Sequence, residues 1–488
     1  MIDLTINEKG LQRTVQACRS RNIIIPTFSQ LKAPESTPEK IKGELRNTSL
    51  WDIAPQNLFR ITWKNDPAAK GGLFRPIANY LELPPELTGV EARIIALVGK
   101  WFPTGSHKVG ASFGCLVPPL VTGQFDPTVH KAVWPSTGNF CRGGAYDAKL
   151  LGCDSIAILP EQMSQERFQW LRTVASEIIA TPGSESNVKE IYDKVWELRG
   201  TRKDIFVFNQ FAEFGNYLFH YEVTGHAMQE VINKEISGGQ FRGVCLTTGS
   251  AGTIASGDYL KQAYPTSKIA AGEAAQCPTL LLNGYGVHRI EGIGDKHVPW
   301  IHNIRNTDIA IGIDDNDPMG LMRLFNEPTG REYLIREIGV PEELVSKLDL
   351  LGISSIANVL MAIKFAKYFE LTRKDIVITV FTDSMELYQS RLKESREQHP
   401  QYGKEQADSD FHRHLMAIKT DSMMELTYPD RKRIHNLKYF TWIEQQKSDL
   451  NELNRQWDDY EAYWSGIQKL TPRIDDLITE FNRKVGLI

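Results

Sequence analysis

Thiols are scarce in this chain, with six cysteines in 488 residues, at 18, 115, 141, 153, 245 and 277. None forms a Cys-x-x-Cys pair or a Cys/His spacing suited to zinc, so no metal site is expected. Sparse, unpatterned thiols fit a reducing compartment. Charge of one sign is not in excess either: 56 Lys and Arg against 60 Asp and Glu leave a net charge of -4. That balance supplies no field for nucleic acid or for an anionic membrane surface. No stretch approaches about 18 consecutive apolar residues, so no transmembrane helix is expected. The start Met1-Ile2-Asp3-Leu4-Thr5 is acidic where a secretory signal needs a basic segment and an apolar run. Internal repeats and low-complexity segments are absent. A cytoplasmic protein is expected, with neither nucleic acid nor membrane as a partner.

The composition that is present, 41% hydrophobic and 24% charged, is that of an ordinary globular chain. Its length allows roughly two or three domains or one large two-lobed unit. From about 128 to 393, short apolar runs alternate with amphipathic stretches. Strands are expected at Ala132 to Trp134, Ser155 to Leu159, Glu177 to Ala180, Ile205 to Asn209, Gly243 to Thr247, Lys268 to Gly272 and Ile376 to Phe381. Helices are expected at Arg142 to Leu151, Ser164 to Val174, Asn187 to Leu198, Gly215 to Ile232 and Thr253 to Ala263. Strands separated by helices predict an α/β fold with a mostly parallel sheet covered on both faces. Ligands of such sheets sit beyond the carboxyl ends of the strands.

Residues 1–70 are less regular, with Pro26, Pro34, Pro38 and Pro55 interrupting any long element, and read as an N-terminal extension. Beyond 394 the composition shifts to Gln, Glu, Lys, Arg and aromatics, as in Trp457-Asp458-Asp459-Tyr460-Glu461-Ala462-Tyr463-Trp464. Apolar residues at helical spacing there predict a helical extension whose aromatics are packing surface.

Four loops are candidates for chemistry. Pro103-Thr104-Gly105-Ser106-His107-Lys108 sets a lysine ahead of a helix-compatible run. A lysine amine attacks a carbonyl only when neutral, so such a role needs a partly desolvated site. Gly249-Ser250-Ala251-Gly252-Thr253 joins an apolar strand to a helical run, where small residues expose backbone N–H groups to an anion such as a phosphate. It is neither a Walker loop nor Gly-x-Gly-x-x-Gly, which counts against a nucleotide. Ser136-Thr137-Gly138-Asn139 could clamp a carboxylate and present an amide to a phenolic oxygen, or merely cap a helix. Asp383-Ser384 ends an apolar strand, where the hydroxyl could meet a pyridine nitrogen or, again, cap a helix.

In that order on one α/β pattern, these loops resemble the fold type II enzymes of pyridoxal phosphate. Further segments narrow the resemblance to the cysteine synthase and cystathionine β-synthase family. They are Gly286-Val287-His288-Arg289-Ile290-Glu291-Gly292-Ile293-Gly294 with Val298-Pro299, and Asn209-Gln210-Phe211 with Asn216, His220 and Thr224-Gly225. Gly352-Ile353-Ser354-Ser355 and Thr382-Asp383-Ser384-Met385-Glu386-Leu387-Tyr388 complete the set. The likeness spans about 71 to 393 and implies two lobes of mostly parallel sheet flanked by helices, a homodimer and an amino-acid substrate. It implies that Lys108 forms the internal aldimine and moves the Cα proton. Asn139 would contact the cofactor ring oxygen, the loop of Gly249, Ser250, Ala251, Gly252 and Thr253 its phosphate, and Ser384 its ring nitrogen. Ser136, Thr137, Gly138 and Gln210 would hold the substrate carboxylate, with Gly292 lining the pocket. The implied chemistry is β-replacement or β-elimination on a serine- or cysteine-type amino acid through an aminoacrylate, because an unprotonated pyridine is a weak electron sink. A threonine synthase or dehydratase-like enzyme, or a non-catalytic binding protein on the same fold, is the alternative.

The chain departs from that family at Phe140 and Cys141, where Thr and Gly are usual, and at Ala251, where Gly is usual. Phe140 and Cys141 are expected to reshape the substrate side of their loop. The Thr-Gly-Ser-His-Lys form resembles the tryptophan synthase β-chain, and Pro-Thr-Gly-Ser resembles threonine synthase.

Overall fold

The computed structural model describes residues 2–487 apart from 69, 137, 185–186 and 295. Eleven strands among the described residues form two sheets. They are β1 Tyr80–Leu83, β2 Arg93–Val98, β3 Lys131–Pro135, β4 Ser155–Pro160, β5 Glu177–Thr181 and β6 Ile205–Val207. β7 Gln240–Thr247, β8 Lys268–Ala274, β9 Ile309–Ile313, β10 Asp375–Phe381 and β11 Met423–Glu425 follow.

The smaller lobe is built on a four-stranded sheet in the order β5-β4-β3-β6, parallel throughout. The larger lobe carries seven strands in the order β1-β2-β10-β7-β8-β9-β11, parallel except for the two edges, where β1 and β11 run antiparallel to their neighbours. Central strands such as Arg93-Ile94-Ile95-Ala96-Leu97-Val98 are apolar along their length because helices cover both faces. The expected strands and helices between 128 and 393 are present with shifts of a few residues at their ends. β1, β2, β9 and β11 are additional.

Residues Gly215 to Ile232, expected as one helix, contain a π-helical turn over His220–Thr224. The carboxy-terminal stretch is helical as expected, apart from β11 at the edge of the larger sheet.

The extensions share the core of the lobes. Asn482, on the helix Thr471–Val485, brackets the backbone of Ile25: its Oδ1 accepts from the Ile25 N–H at 3.0 Å and its Nδ2 donates to the Ile25 carbonyl at 2.7 Å. Lys438 is fully buried and donates to the carbonyls of Trp300 and His302 at 2.9 and 2.8 Å and to Gln456 Oε1 at 2.7 Å. Trp442 packs on Trp300, and Trp464 on Phe214 and Tyr217. These aromatics are packing surface, as their spacing predicts.

Candidate active site

Five strand ends of the two lobes converge on one place. β2 runs into the lysine loop, β3 into Ser136–Asn139, β6 into Gln210, β7 into Gly249–Thr253 and β10 into Asp383–Ser384. Lys108 is the first residue of the helix Lys108–Val121, and the His107 N–H donates to the Thr382 carbonyl at 3.3 Å, fastening the lysine loop to the end of β10.

Lys108 Nζ donates to Ser250 Oγ at 3.0 Å and reaches Gln210 Oε1 at 3.4 Å. Gln210 Nε2 in turn donates to Ser136 Oγ at 2.9 Å. The lysine, the small-residue loop and the Ser136 loop, separated in sequence, therefore meet through side-chain hydrogen bonds. Asn216 braces this arrangement by donating to Ser250 Oγ at 3.0 Å and to the Gln210 carbonyl at 2.9 Å.

Within the small-residue loop, Ala251 has φ 61°, in the left-handed region that a Cβ disfavours. A strained residue held there by its surroundings is common where backbone must be presented to a ligand. Gly292, at φ 99°, also needs its glycine for conformation, since a Cβ there would lie as far as 4.0 Å from Ser354 Oγ. The Gly294 N–H donates to the Thr248 carbonyl at 2.9 Å, which clips the Gly286–Gly294 loop to the end of β7.

Among the described residues, no side-chain cap bond is made from the N-cap position at the end of either serine loop. Gly138 is the N-cap of the helix Asn139–Leu150, with no side-chain cap bond, and Ser384 makes none to the turn after it. Ser384 Oγ and Asn139 Oδ1 are buried and have no hydrogen-bond partner among the described residues. Buried polar atoms left without partners cost about 1–3 kcal/mol each, which makes them candidates for contact with a bound molecule. Thr137 lies outside the described residues.

Two departures change meaning in three dimensions. Phe140 packs edge-to-face on Trp134 at 5.4 Å in the core of the smaller lobe, so its bulk serves packing, not the site face expected from the sequence. Cys141 Sγ turns to the Gly138 carbonyl at 2.9 Å, and burial pushes its thiol up to about 12, which makes it an inert packing residue.

His107 is fully buried between Trp63 and His220, with ring centroids at 5.5 and 4.9 Å. Burial first and the Lys108 charge second push it down to about 3, so it stays neutral. Below pH 6.5 the unfolded chain protonates this histidine while the folded chain does not, so its stability contribution is lost on acidification. The stability gap between the unaltered protein and His107→Asn should therefore narrow by about 1.4 kcal/mol per pH unit below about 6.5. Urea unfolding at pH 7 and pH 5 checks this, and an equal gap at both would refute it.

Several groups at the site were not singled out by sequence. Arg167, 1% exposed, pairs through Nη1 with Glu291 Oε2 at 3.0 Å, and its Nη2 donates to Tyr388 Oη at 3.1 Å. Nothing in the amphipathic pattern around Arg167 marks it as buried. A cleft of about 940 Å³, lined by Met163, Val287, Glu291, Met319, Arg391 and His414 among others, does not include Lys108 and touches this site through Glu291.

Comparison with known proteins supplies the family. Residues 101–330 match the family described as pyridoxal-phosphate dependent enzyme. The chain is 30% identical over 259 residues to a cysteine synthase of Staphylococcus aureus, which covers 53% of this chain and 75% of that one. It is 25% identical over 330 residues to the cystathionine beta-synthase of Saccharomyces cerevisiae, covering 65% and 61% of the two chains. The crystal structure of a cysteine synthase from Entamoeba histolytica superposes with a TM-score of 0.56 at 22% identity, over 69% of this chain and 93% of that one, a likeness of fold. The sequence shared with the Staphylococcus protein, together with the match over residues 101–330, makes this chain a member of the pyridoxal-phosphate dependent enzymes.

Proposed function

We propose that the protein carries out β-replacement or β-elimination on a serine- or cysteine-type amino acid, with Lys108 as the catalytic residue. The observation that carries this reading is the meeting of Lys108 Nζ with Ser250 and Gln210, and of Gln210 with Ser136, at the strand ends. The names of the relatives, cysteine synthase and cystathionine beta-synthase, support the substrate class.

The residues present fit pyridoxal phosphate. Ser384 Oγ is a buried hydroxyl in need of a partner, the Asn139 amide has a second N–H beyond the one given to Asp383 Oδ2, and the backbone turn Gly249–Thr253 suits a phosphate. In this reading Lys108 Nζ would bond the aldehyde carbon in the resting protein, the Gly249–Thr253 turn would hold the phosphate, Asn139 the ring oxygen and Ser384 the ring nitrogen. When bound, the cofactor supplies an electron sink for the substrate Cα.

The chain's own part is to orient and to move a proton. Ser136, Gly138 and Gln210, with Thr137, hold the substrate carboxylate and so fix which Cα bond faces Lys108. Lys108 Nζ, freed once the substrate's own amine takes its place on the aldehyde carbon, would take the Cα proton, with Ser250 Oγ at 3.0 Å and Gln210 Oε1 at 3.4 Å directing the amine into the site. Ser384 offers a hydroxyl and no charge to the ring nitrogen, which favours loss of a Cβ substituent over transamination. Residues 71–393 form the catalytic core in this reading, with 1–70 and 394–488 as extensions that complete its apolar core, and two copies associate as the family resemblance implies. A cytoplasmic setting is supported by six free, buried thiols. Among the described residues no helix is long and apolar enough to cross a membrane.

The test is a spectroscopic screen of the cofactor-loaded protein against amino acids. O-acetylserine, serine or cysteine should change its visible spectrum and release or exchange the Cβ substituent. A response to O-phosphohomoserine or threonine alone would overturn the β-chemistry, and no turnover with any of them would overturn catalysis.

A further inference from the structure

Asp383 stands between β10 and Ser384, and its side chain is fully buried. Its Oδ2 accepts two hydrogen bonds, a short one from Asn139 Nδ2 and one from Tyr388 Oη at 2.7 Å. Tyr388 Oη accepts from Arg167, whose guanidinium pairs with Glu291 at 3.0 Å, and Glu291 Oε1 pairs with Arg391 Nε at 2.6 Å. Asn139 and Arg167 belong to the smaller lobe, while Asp383, Tyr388, Glu291 and Arg391 belong to the larger one. One buried polar chain thus crosses between the lobes and ends on the amide that, in the reading above, faces the cofactor ring oxygen.

An amide nitrogen has two hydrogens. When a carboxylate takes one of them, the carboxamide is pinned in one rotamer, its oxygen becomes richer in electrons, and the second N–H becomes a weaker donor. The start of the helix Ile353–Tyr368 lies close against this carboxyl because residue 352 is glycine: a Cβ there would sit 1.9 Å from Asp383 Oδ1.

We propose that Asp383 is a positioning residue: it fixes the orientation of the Asn139 carboxamide and, through its charge, sets how strongly that amide donates to the cofactor ring oxygen. This rests on the cofactor reading above. In that reading Asp383 acts through Asn139, to which it is hydrogen-bonded. Burial, the largest influence, lifts the Asp383 carboxyl above the usual carboxylate range, while the Tyr388 hydroxyl, the Arg167 guanidinium and the Asn139 amide act in that order to hold its charge.

The test is the absorption spectrum of the cofactor-loaded protein, read without substrate, for the unaltered chain, Asp383→Asn and Tyr388→Phe. Asp383→Asn keeps the shape and removes the charge, so Asn139 becomes the stronger donor to the ring oxygen. The ratio of the longer-wavelength visible band to the near-ultraviolet band should rise by about fivefold, the factor associated with one altered charge-assisted hydrogen bond. Tyr388→Phe strips the buried carboxylate of the donor that most favours its charge, so the charge is held less firmly and the ratio moves in the same direction by less. It decides the matter alone if Asp383→Asn does not fold. Lower thermal stability with an unchanged ratio in the folded variants would overturn the proposal and leave Asp383 a structural residue. If the unaltered protein shows no Lys108-dependent visible band, the cofactor reading itself has failed; if it shows the band and the variants do not move it, only the role of Asp383 has.

Discussion

Lys108→Ala removes the Lys108-dependent visible absorption of the cofactor-loaded protein and lowers turnover by about a thousandfold or more. The amine is the one group at the meeting point of the five strand ends that can both bond an aldehyde carbon and carry a proton to or from a substrate carbon. Loss of a positioned proton-transfer group alone costs about 10²–10⁴ in rate, and loss of the covalent anchor adds to it. The fold should survive, because the hydrogen bonds of Nζ, at 3.0 Å to Ser250 and 3.4 Å to Gln210 among the described residues, belong to the site and not to the sheets or the apolar core. Far-ultraviolet circular dichroism and a melting curve separate the two effects. An unchanged visible band in a folded Lys108→Ala protein would remove the lysine from the mechanism.

The second large effect is on stability. Gly114 lies on the helix that Lys108 begins, and Gly215 lies on the neighbouring helix Phe214–Phe219, one residue before Asn216. A Cβ on Gly114 would sit 2.2 Å from the Gly215 carbonyl oxygen, and one on Gly215 would sit 2.1 Å from the Gly114 carbonyl oxygen. The atoms met are backbone on both sides, so no rotamer change can relieve the clash and the helices must separate. Gly114→Ala should therefore cost about 3 kcal/mol or more, the upper range for overpacking. Gly200, exposed near the end of the helix Val188–Thr201, is the control, because a methyl group added there would meet nothing within 4 Å. There Gly→Ala should gain up to about 1 kcal/mol from the entropy of the unfolded chain. Urea unfolding of both variants measures the contrast, and a Gly114→Ala midpoint close to that of the unaltered protein would refute the close-contact account. Because Asn216 braces Ser250, the same substitution should also weaken retention of the cofactor.

Much of the site was legible along the chain because each loop carries a local chemical signature. A lysine behind Pro103-Thr104-Gly105-Ser106, a small-residue turn between strand and helix, and a serine at a strand end each announce themselves within a few residues. Alternating apolar runs announced the α/β lobes for the same reason, since a strand buried on both faces and an amphipathic helix differ in period. Ala251 was legible only as a departure from a glycine; that it lies in the left-handed region, at a φ of 61°, is visible only in three dimensions. Phe140 misled, because a bulky residue beside Asn139 looks like a change to the pocket until Trp134 is seen beneath it.

The sequence by itself determined the lobes, the loops at their strand ends and the family resemblance, since these follow from periodicity and from short motifs. Only the tertiary structure decided the polar chain from Asn139 through Asp383, Tyr388 and Arg167 to Glu291 and Arg391. Asn139 and Asp383 are 244 residues apart, and Arg167 sits in a helix that reads as solvent-facing on one side. Buried ionic groups are tolerable only where partners from distant segments arrive at hydrogen-bonding distance in a medium of low dielectric, and that arrival is a property of how the two lobes meet.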